Sequence, residues 1–256
     1  QQRQADAFLL HANILSSELA AMLSRVDFPY LVIGQPDFRC NVCWMDVNHE
    51  QAGQLAANYL LDRGYRRLAF VMGSLDDPLS QSRLAGIRQV MEEEELPVEV
   101  LSSDTPYTLD VSSLEQLLAR REPPEVLVCN NNHLALQCLQ QVRRLGLEIP
   151  AQIALITFDN YPFSMLTEPA ITAVDLDMHE MGINAARFIL QRIRKPNLLT
   201  PSYCTSPTVL TRASTSITRA RCNMPRALIL SRHPNFPCAT LGCFLQFLSM
   251  NHPKPI

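Results

Sequence analysis

An α/β architecture built on parallel sheets is expected for this 256-residue chain, on three observations. Val126 to Cys129 and Ile153 to Ile156 are short apolar runs without polar alternation, the pattern of strands buried on both faces. Between them Leu134, Cys138, Val142 and Leu145 recur at helical spacing on a segment of good helix formers. The same alternation of strand and helix recurs along most of the chain, which argues for a parallel sheet with helices on both faces, or two such sheets.

The elements follow in order. Asp6 to Leu10 reads as a strand ending at His11, and Ser16 or Ser17 can cap a helix carrying Leu19, Met22, Leu23 and Val26 on one face. Tyr30 to Ile33 is a second strand, closed by Gly34, and Cys43 to Asp46 a short third. A helix follows from His49, with Ala52, Leu55, Ala56, Tyr59 and Leu60 inward and Gly64 past its end. Leu68 to Met72 is a strand, Ser80 to Glu95 a helix ending in a solvated acidic run, Val98 to Leu101 a strand and Leu109 to Arg121 a helix.

The central βαβ unit comes next. Asn132 is expected to cap its helix, Gly146 to end it, and Pro150 to bar its continuation. Beyond a turn-rich loop from Tyr161 to Pro169 come a strand at 172–174, a helix from Met178 to Arg194, a linker at 196–200 and a strand at 208–211. From Thr218 the composition changes. Residues 218–256 contain no acidic residue, five basic residues and five prolines, and read as an unrelated, disordered tail.

Composition excludes several functions. A formal net charge of −3 gives no sign that these residues bind nucleic acid. No GxGxxG, GxxxxGK[ST] or GxSxG occurs, and eight glycines are few for phosphate loops, so an enzyme is not expected. Cys40 and Cys43 have the spacing of half a zinc site with no comparable second pair, while Cys129 and Cys138 read as buried thiols; neither metal nor cofactor is expected. The start, QQRQADAF, resembles neither a signal peptide nor a membrane span, which makes the cytoplasm the expected compartment. It also opens in mid-pattern, as if the chain were cut.

Both central strands end in polar clusters, Asn130-Asn131-Asn132 and Asp159-Asn160. Ligands of open α/β sheets sit just outside such carboxyl ends. Amides with one carboxylate suit the holding of hydroxyl groups rather than reaction. Tyr107 could offer an aromatic face for a sugar ring, or simply pack in its loop. Tyr161, Phe163, Met165 and Leu166 put much apolar surface in one turn region. With the exposed face of the 133–145 helix, that loop is expected to be a dimer contact.

The segments GYRRLAFVMGS, SRLAGI, PEVLVCNNNHLALQCLQQVRRLGLEIPAQIALITFDN, TEPAITAVDLDMHEMG and PTVLTRAST, in unbroken order from about Asp6 to Ser216, resemble the lactose/galactose-repressor family of transcriptional regulators. The resemblance implies an effector-binding module of periplasmic-binding-protein-like type I: two parallel-sheet, three-layer subdomains with a ligand cleft between them. It implies an amino-terminal subdomain of 1–73 plus about 161–195, lacking its first two strands. The carboxyl-terminal subdomain would then be 74–160 plus about 196–217. It also implies a homodimer and an upstream helix-turn-helix that contacts operator DNA. Arg83 in SRLAGI, Asn130 in VCNNN and Asp159 in TFDN stand where family members hydrogen-bond a sugar or nucleoside, and His11 and Gly34 end two strands that face the same cleft. The competing reading from the same fold is a periplasmic-type sugar-binding protein of a transport system.

Overall fold

The computed structural model describes residues 5–25, 28–195 and 202–216. The proposed tail at 218–256, the linker at 196–200 and Val26 lie outside them. Ten strands form two sheets. In the smaller, β1 (Phe8–His11), β2 (Tyr30–Ile33), β3 (Trp44–Val47) and β9 (Tyr203–Thr205) lie side by side in the order β1-β2-β3-β9, all parallel. The larger comprises β4 (Leu68–Val71), β5 (Val98–Leu101), β6 (Val126–Cys129), β7 (Ala154–Phe158), β8 (Thr172–Asp175) and β10 (Thr208–Leu210). Its order is β10-β8-β7-β6-β4-β5, parallel except at the β10–β8 pair.

The helices are α1 (Ser17–Leu23), α2 (His49–Asp62), α3 (Pro78–Glu93), α4 (Val111–Leu118), α5 (Asn132–Arg144), the single turn α6 (Phe163–Leu166) and α7 (Met178–Arg194). Their starts follow from side-chain caps. Ser16, Asn48, Asp77, Asp110 and Asp177 each accept a hydrogen bond from a backbone N–H of the first turn, and Pro78 opens α3, where its missing N–H costs nothing. One cap differs from expectation. Asn131, not Asn132, accepts from the Leu134 N–H and caps α5. Asn132 is buried one residue into the helix, where its Nδ2 donates to the carbonyls of Phe158 and Asp159 and its Oδ1 accepts from the Ser164 hydroxyl. It clips the end of β7 to α6.

Strand pairing divides the chain differently from the expected boundaries. β4 lies in the larger sheet, so the first passage between sheets falls at Val47–Asn48 and not near residue 73. The reason is helix α2. Its buried face of Ala52, Ala56, Ala57 and Leu60 packs chiefly on α3, with Leu84, Ile87 and Met91, and α2 lies against β8 and β10 of the larger sheet, in a core cluster that also takes in Leu31, Met45 and Val47 of the smaller one. A helix must go with the surface that buries its apolar stripe. β8 likewise belongs to the larger sheet, pairing with β7 from Ile156↔Thr172 onward, whereas α7 does pack toward β2 and β3. Strand β9, absent from the sequence expectation, returns to the smaller sheet before β10 crosses again. The chain thus passes between sheets after β3, after β8 and after β9, and the Asn48 N–H donates to the Thr205 carbonyl at 3.2 Å, tying two of these passages together.

At the α2–α3 contact the helices touch backbone to backbone. A Cβ at Gly53 would overlap the Arg83 carbonyl, and one at Gly86 would overlap the Glu50 carbonyl. Gly53→Ala and Gly86→Ala should each destabilise the fold by about 1–3 kcal/mol or more through overpacking. Gly182→Ala in α7, where a Cβ meets no atom within 4 Å, should be neutral or stabilising. Chemical denaturation midpoints of the three variants check this. Equal shifts would mean that the helix contact yields.

Candidate ligand cleft

Strand β7 is buried along its whole length and delivers Asp159 to its carboxyl end, in a left-handed conformation at φ 69°. There the Asp159 N–H donates to the Val174 carbonyl at 3.0 Å, so the turn is held by the neighbouring strand while the carboxylate faces outward. Helix α3 starts near the same edge of the sheet, and its second turn brings in Arg83, which is 5% exposed.

A buried guanidinium must have its donors filled. Nη1 of Arg83 donates to the backbone carbonyl of Asn130 at 2.5 Å and to its side-chain Oδ1 at 3.2 Å, and Nε donates to Nδ1 of His49 at 3.3 Å. Asn130 is itself oriented by donating from Nδ2 to the Ser80 hydroxyl at 2.7 Å, and Ser80 in turn donates to the α3 cap, Asp77. The group's Cζ lies 4.8 Å from the Phe158 ring centroid. Nη2 is left toward the cleft, 3.8 Å from Oδ1 of Asp159.

Two further carboxylates come from the passages between sheets. Asp46, at the end of β3, accepts from the backbone N–H groups of Gln35 at 2.8 Å and Val47 at 2.7 Å and lies 3.4 Å from Nε2 of His49. Since Nδ1 of His49 accepts from Arg83, the imidazole bridges the smaller sheet to the guanidinium. Asp175 accepts from Nδ2 of Asn160 and from the N–H of Asp177, both at 2.9 Å. Asn160 is held from its other side by Nη2 of Arg212 at 2.5 Å.

Burial acts on these acids in opposite ways. It pushes the Asp159 carboxyl above the usual range; Arg83 opposes that and Asp175 adds to it. Burial also pushes Asp46 up, but the hydrogen bond from His49 and the amides of Gln35 and Val47 outweigh it, leaving Asp46 below its ordinary value. Arg83 is pulled down by burial and supported by Asp159, Asp77 and Asp46. It remains a cation, as arginine does in proteins.

These groups surround a cleft of about 600 Å³, a size suited to a small molecule. Arg83, Asp159, His11 and Gly34 line it, as the sequence placed them. His11 also caps its own turn, with Nδ1 accepting from the Asn13 N–H at 3.2 Å. Asn130 is not among the lining residues; it stands behind Arg83 and holds the guanidinium. Tyr107 lies elsewhere. Gln137 of α5 pins its loop, donating from Nε2 to the Tyr107 carbonyl and accepting from the Leu109 N–H, and its ring, 62% exposed, meets His133 edge-on at 5.3 Å. Asp46, His49 and Asp175 went unread in the sequence, whereas Asn160 stood in the polar cluster that follows β7. Asp46 and Asp175 each follow a short apolar run, the same signal that marked Asp159, but their strands were too short to weigh. His49 carried no signal beyond opening a helix.

The family model for the periplasmic binding protein-like domain matches residues 57–215. The chain belongs to this family. Among curated relatives, the HTH-type transcriptional repressor PurR of Vibrio parahaemolyticus is 26% identical over 197 residues, which are 75% of this chain and 59% of that protein. Catabolite control protein A of Priestia megaterium is 24% identical over the same shares. The chain therefore spans about three fifths of the length of these relatives.

Solved structures of LacI-family proteins share the periplasmic-binding-protein-like fold. A regulator from Enterococcus faecalis with bound ribose superposes with a TM-score of 0.73 at 20% identity, covering 84% of this chain and 79% of its own. The regulator CelR in complex with cellobiose gives 0.70 at 23%, covering 83% and 66%. The likeness to the lactose/galactose-repressor family read from the sequence is thus borne out, and with it the α/β periplasmic-binding-protein-like fold.

The raised carboxyl of Asp159 has a consequence for stability. A carboxylate whose folded value lies above its unfolded value costs stability once both states are ionised, and that cost vanishes below the unfolded value, where both are protonated. Without ligand, Asp159→Asn should therefore melt higher than the parent at neutral pH, with the gap closing as pH falls through the carboxylate range. Thermal melts across pH test this, and a variant that melts lower at neutral pH would show that the Arg83 attraction outweighs desolvation.

Proposed function

We propose that the chain is the effector-binding and dimerisation module of a transcriptional repressor of the lactose/galactose-repressor family, with a small polyhydroxylated sugar or nucleoside as effector. The observation that carries this reading is the 3.8 Å gap between Nη2 of Arg83 and Oδ1 of Asp159 at the cleft wall. A ligand hydroxyl there accepts from the guanidinium and donates to the carboxylate, so the buried Arg83 and the half-buried Asp159 each gain a partner. Relatives named as repressors support a regulator over the transport reading, and over an enzyme. The sugars held by ribose- and cellobiose-bound neighbours lie within the same chemical class.

Residues from both sheets line the cleft, and three chain passages join the sheets. A ligand that touches both walls favours one relative arrangement by its differential affinity, and DNA-binding heads read the change. Operator DNA is contacted by a helix-turn-helix upstream of these residues, in keeping with the HTH-type designation of the relatives. The expected site of action is the cytoplasm; no helix among the described residues is long and apolar enough to cross a membrane.

Dimerisation uses the face where Tyr107, His133, Phe163 and Tyr161 form a row of ring contacts at 5.3, 6.5 and 5.6 Å. Tyr161, Met165 and Leu166 beside it are 51%, 55% and 84% exposed, an apolar area that water should not cover unaided.

Asp159→Ala should weaken effector binding by about 1–3 kcal/mol, the cost of stranding a buried polar partner. Calorimetry with the protein's sugar or nucleoside effector reads this directly, and unchanged affinity would remove Asp159 from the site. On the other face, Leu166→Glu should move the protein from dimer to monomer in sedimentation at micromolar concentration. A wild-type protein that already sediments as a monomer would sink the dimer assignment.

A further inference from the structure

The passage from β3 to α2 is the first of the three that join the sheets, and one side chain spans it. His49 opens α2, yet its ring is turned inward and is only 10% exposed. Nε2 lies 3.4 Å from Oδ1 of Asp46, at the end of a strand of the smaller sheet, and Nδ1 accepts from Nε of Arg83 at 3.3 Å. A single imidazole thus touches the strand before the passage and the guanidinium in the cleft wall.

These contacts fix the protonation of the ring. A nitrogen that accepts from an N–H carries no proton, so Nδ1 is bare, and Nε2, set against a carboxylate, holds the ring's one proton. His49 is therefore neutral in this arrangement. A second proton can go only onto Nδ1. There it removes the acceptor of Arg83 Nε and sets a cation beside a buried guanidinium. Asp46 pulls the other way, since its carboxylate attracts an imidazolium. That carboxylate already accepts from the amides of Gln35 and Val47, whereas Nε of Arg83 has no second acceptor among the described residues. Protonation accordingly tightens the Asp46 contact and frees Nε. Nη1 stays tied to Asn130, so the guanidinium turns about that end and Nη2 leaves its place in the cleft wall.

Other charged groups nearby leave this balance to Asp46 and Arg83. Asp37, Asp159, Asp175, Asp177, His11 and His179 line the same cleft, and among the described residues none of them makes a hydrogen bond or ion pair with the His49 ring. Asp77, at the cap of α3, is engaged by Ser80, and Glu50 beside His49 is exposed.

We infer that His49 is a proton-sensitive positioning residue: neutral, it aims Arg83 at the cleft, and protonated, it lets the guanidinium swing away. The inference rests on the cleft being an effector site and adds a pH dependence to it. Histidine is the side chain that changes charge between about pH 5 and 8. A ligand that needs Arg83 is held less tightly in acid, with no change in the ligand itself.

NMR spectroscopy of the whole chain, isotope-labelled and without ligand, tests this. At neutral pH the His49 ring should show the Nε2–H form, and the Arg83 Nε–H should exchange with water more slowly than in free arginine at the same pH. As His49 gains its second proton that protection should fall about tenfold, in step with the His49 titration. In His49→Gln the protection should stay level over the same range while His11 and His179 still titrate. A ring protonated on Nδ1 at neutral pH, a His49 that stays neutral down to about pH 5, or an Arg83 signal that ignores the titration overturns the inference. So does a His49→Gln protein whose Arg83 keeps the parent's pH profile. Should that variant fail to fold, the parent spectra decide alone, since both signals are read in it. No ligand enters these spectra, so failure here leaves the effector site standing, and failure to bind sugars would not alter what His49 does to Arg83.

Discussion

The buried guanidinium of Arg83 is the constraint around which the site is arranged. An arginine cannot shed its charge, so burying it obliges the protein to surround it with acceptors. The Asn130 carbonyl and amide, the His49 imidazole and, at longer range, Asp159 meet that demand from three different elements. Each of these partners is then fixed in turn: Asn130 by Ser80 and Asp77, and His49 by Asp46. The chain of bonds runs from the cap of one helix to the end of a strand in the other sheet. It gives the cleft wall a defined shape before any ligand arrives, which lowers the ordering cost of binding.

Arg83 reaches that position because two helices approach without side chains between them. Gly53 of α2 packs against the Arg83 carbonyl, and Gly86 of α3 against the Glu50 carbonyl. A β-carbon at either place would push the helices apart and carry the guanidinium with them. The same contact brings the first residue of α2, His49, within reach of Arg83. Packing of the core and geometry of the site are therefore one problem here, solved by two glycines.

Asp159 shows the opposite balance. Burial raises its carboxyl against the attraction of Arg83, and its backbone sits in a left-handed conformation that aspartate enters more readily than most residues other than glycine, though still at a cost. Both features cost stability in the empty protein, and both place an acceptor where a donor from outside can meet it. Asp46 accepts from two backbone N–H groups, and Asp175 from one backbone N–H and the Asn160 side-chain amide, so they shape the cleft and leave less capacity for a ligand.

Much of this was legible without coordinates. Apolar runs such as Val126 to Cys129, bounded by turn residues, fit strands buried on both faces, and their carboxyl ends mark where a ligand can sit, which singles out Asp159; Arg83, on a helix, is indicated by the family resemblance alone. Local rules also set most helix starts, because a cap is a contact within three residues. The sequence by itself determined the element types, the parallel sheets and the edge on which the cleft opens. What it left undecided depends on contacts between residues far apart in the chain. Which sheet β4 and β8 join is settled by where α2 buries its stripe and by pairing with β7, and β9 finds β3 across more than 150 residues. Whether Asn131 or Asn132 caps α5, and whether Asn130 faces the ligand or the back of Arg83, turns on single hydrogen bonds to Phe158, Ser80 and Arg83. Asp46 and His49 enter the site only because the helix contact carries them there. Spacing along a chain records the period of an element, whereas a site is made by the distances between elements, and those are set by packing.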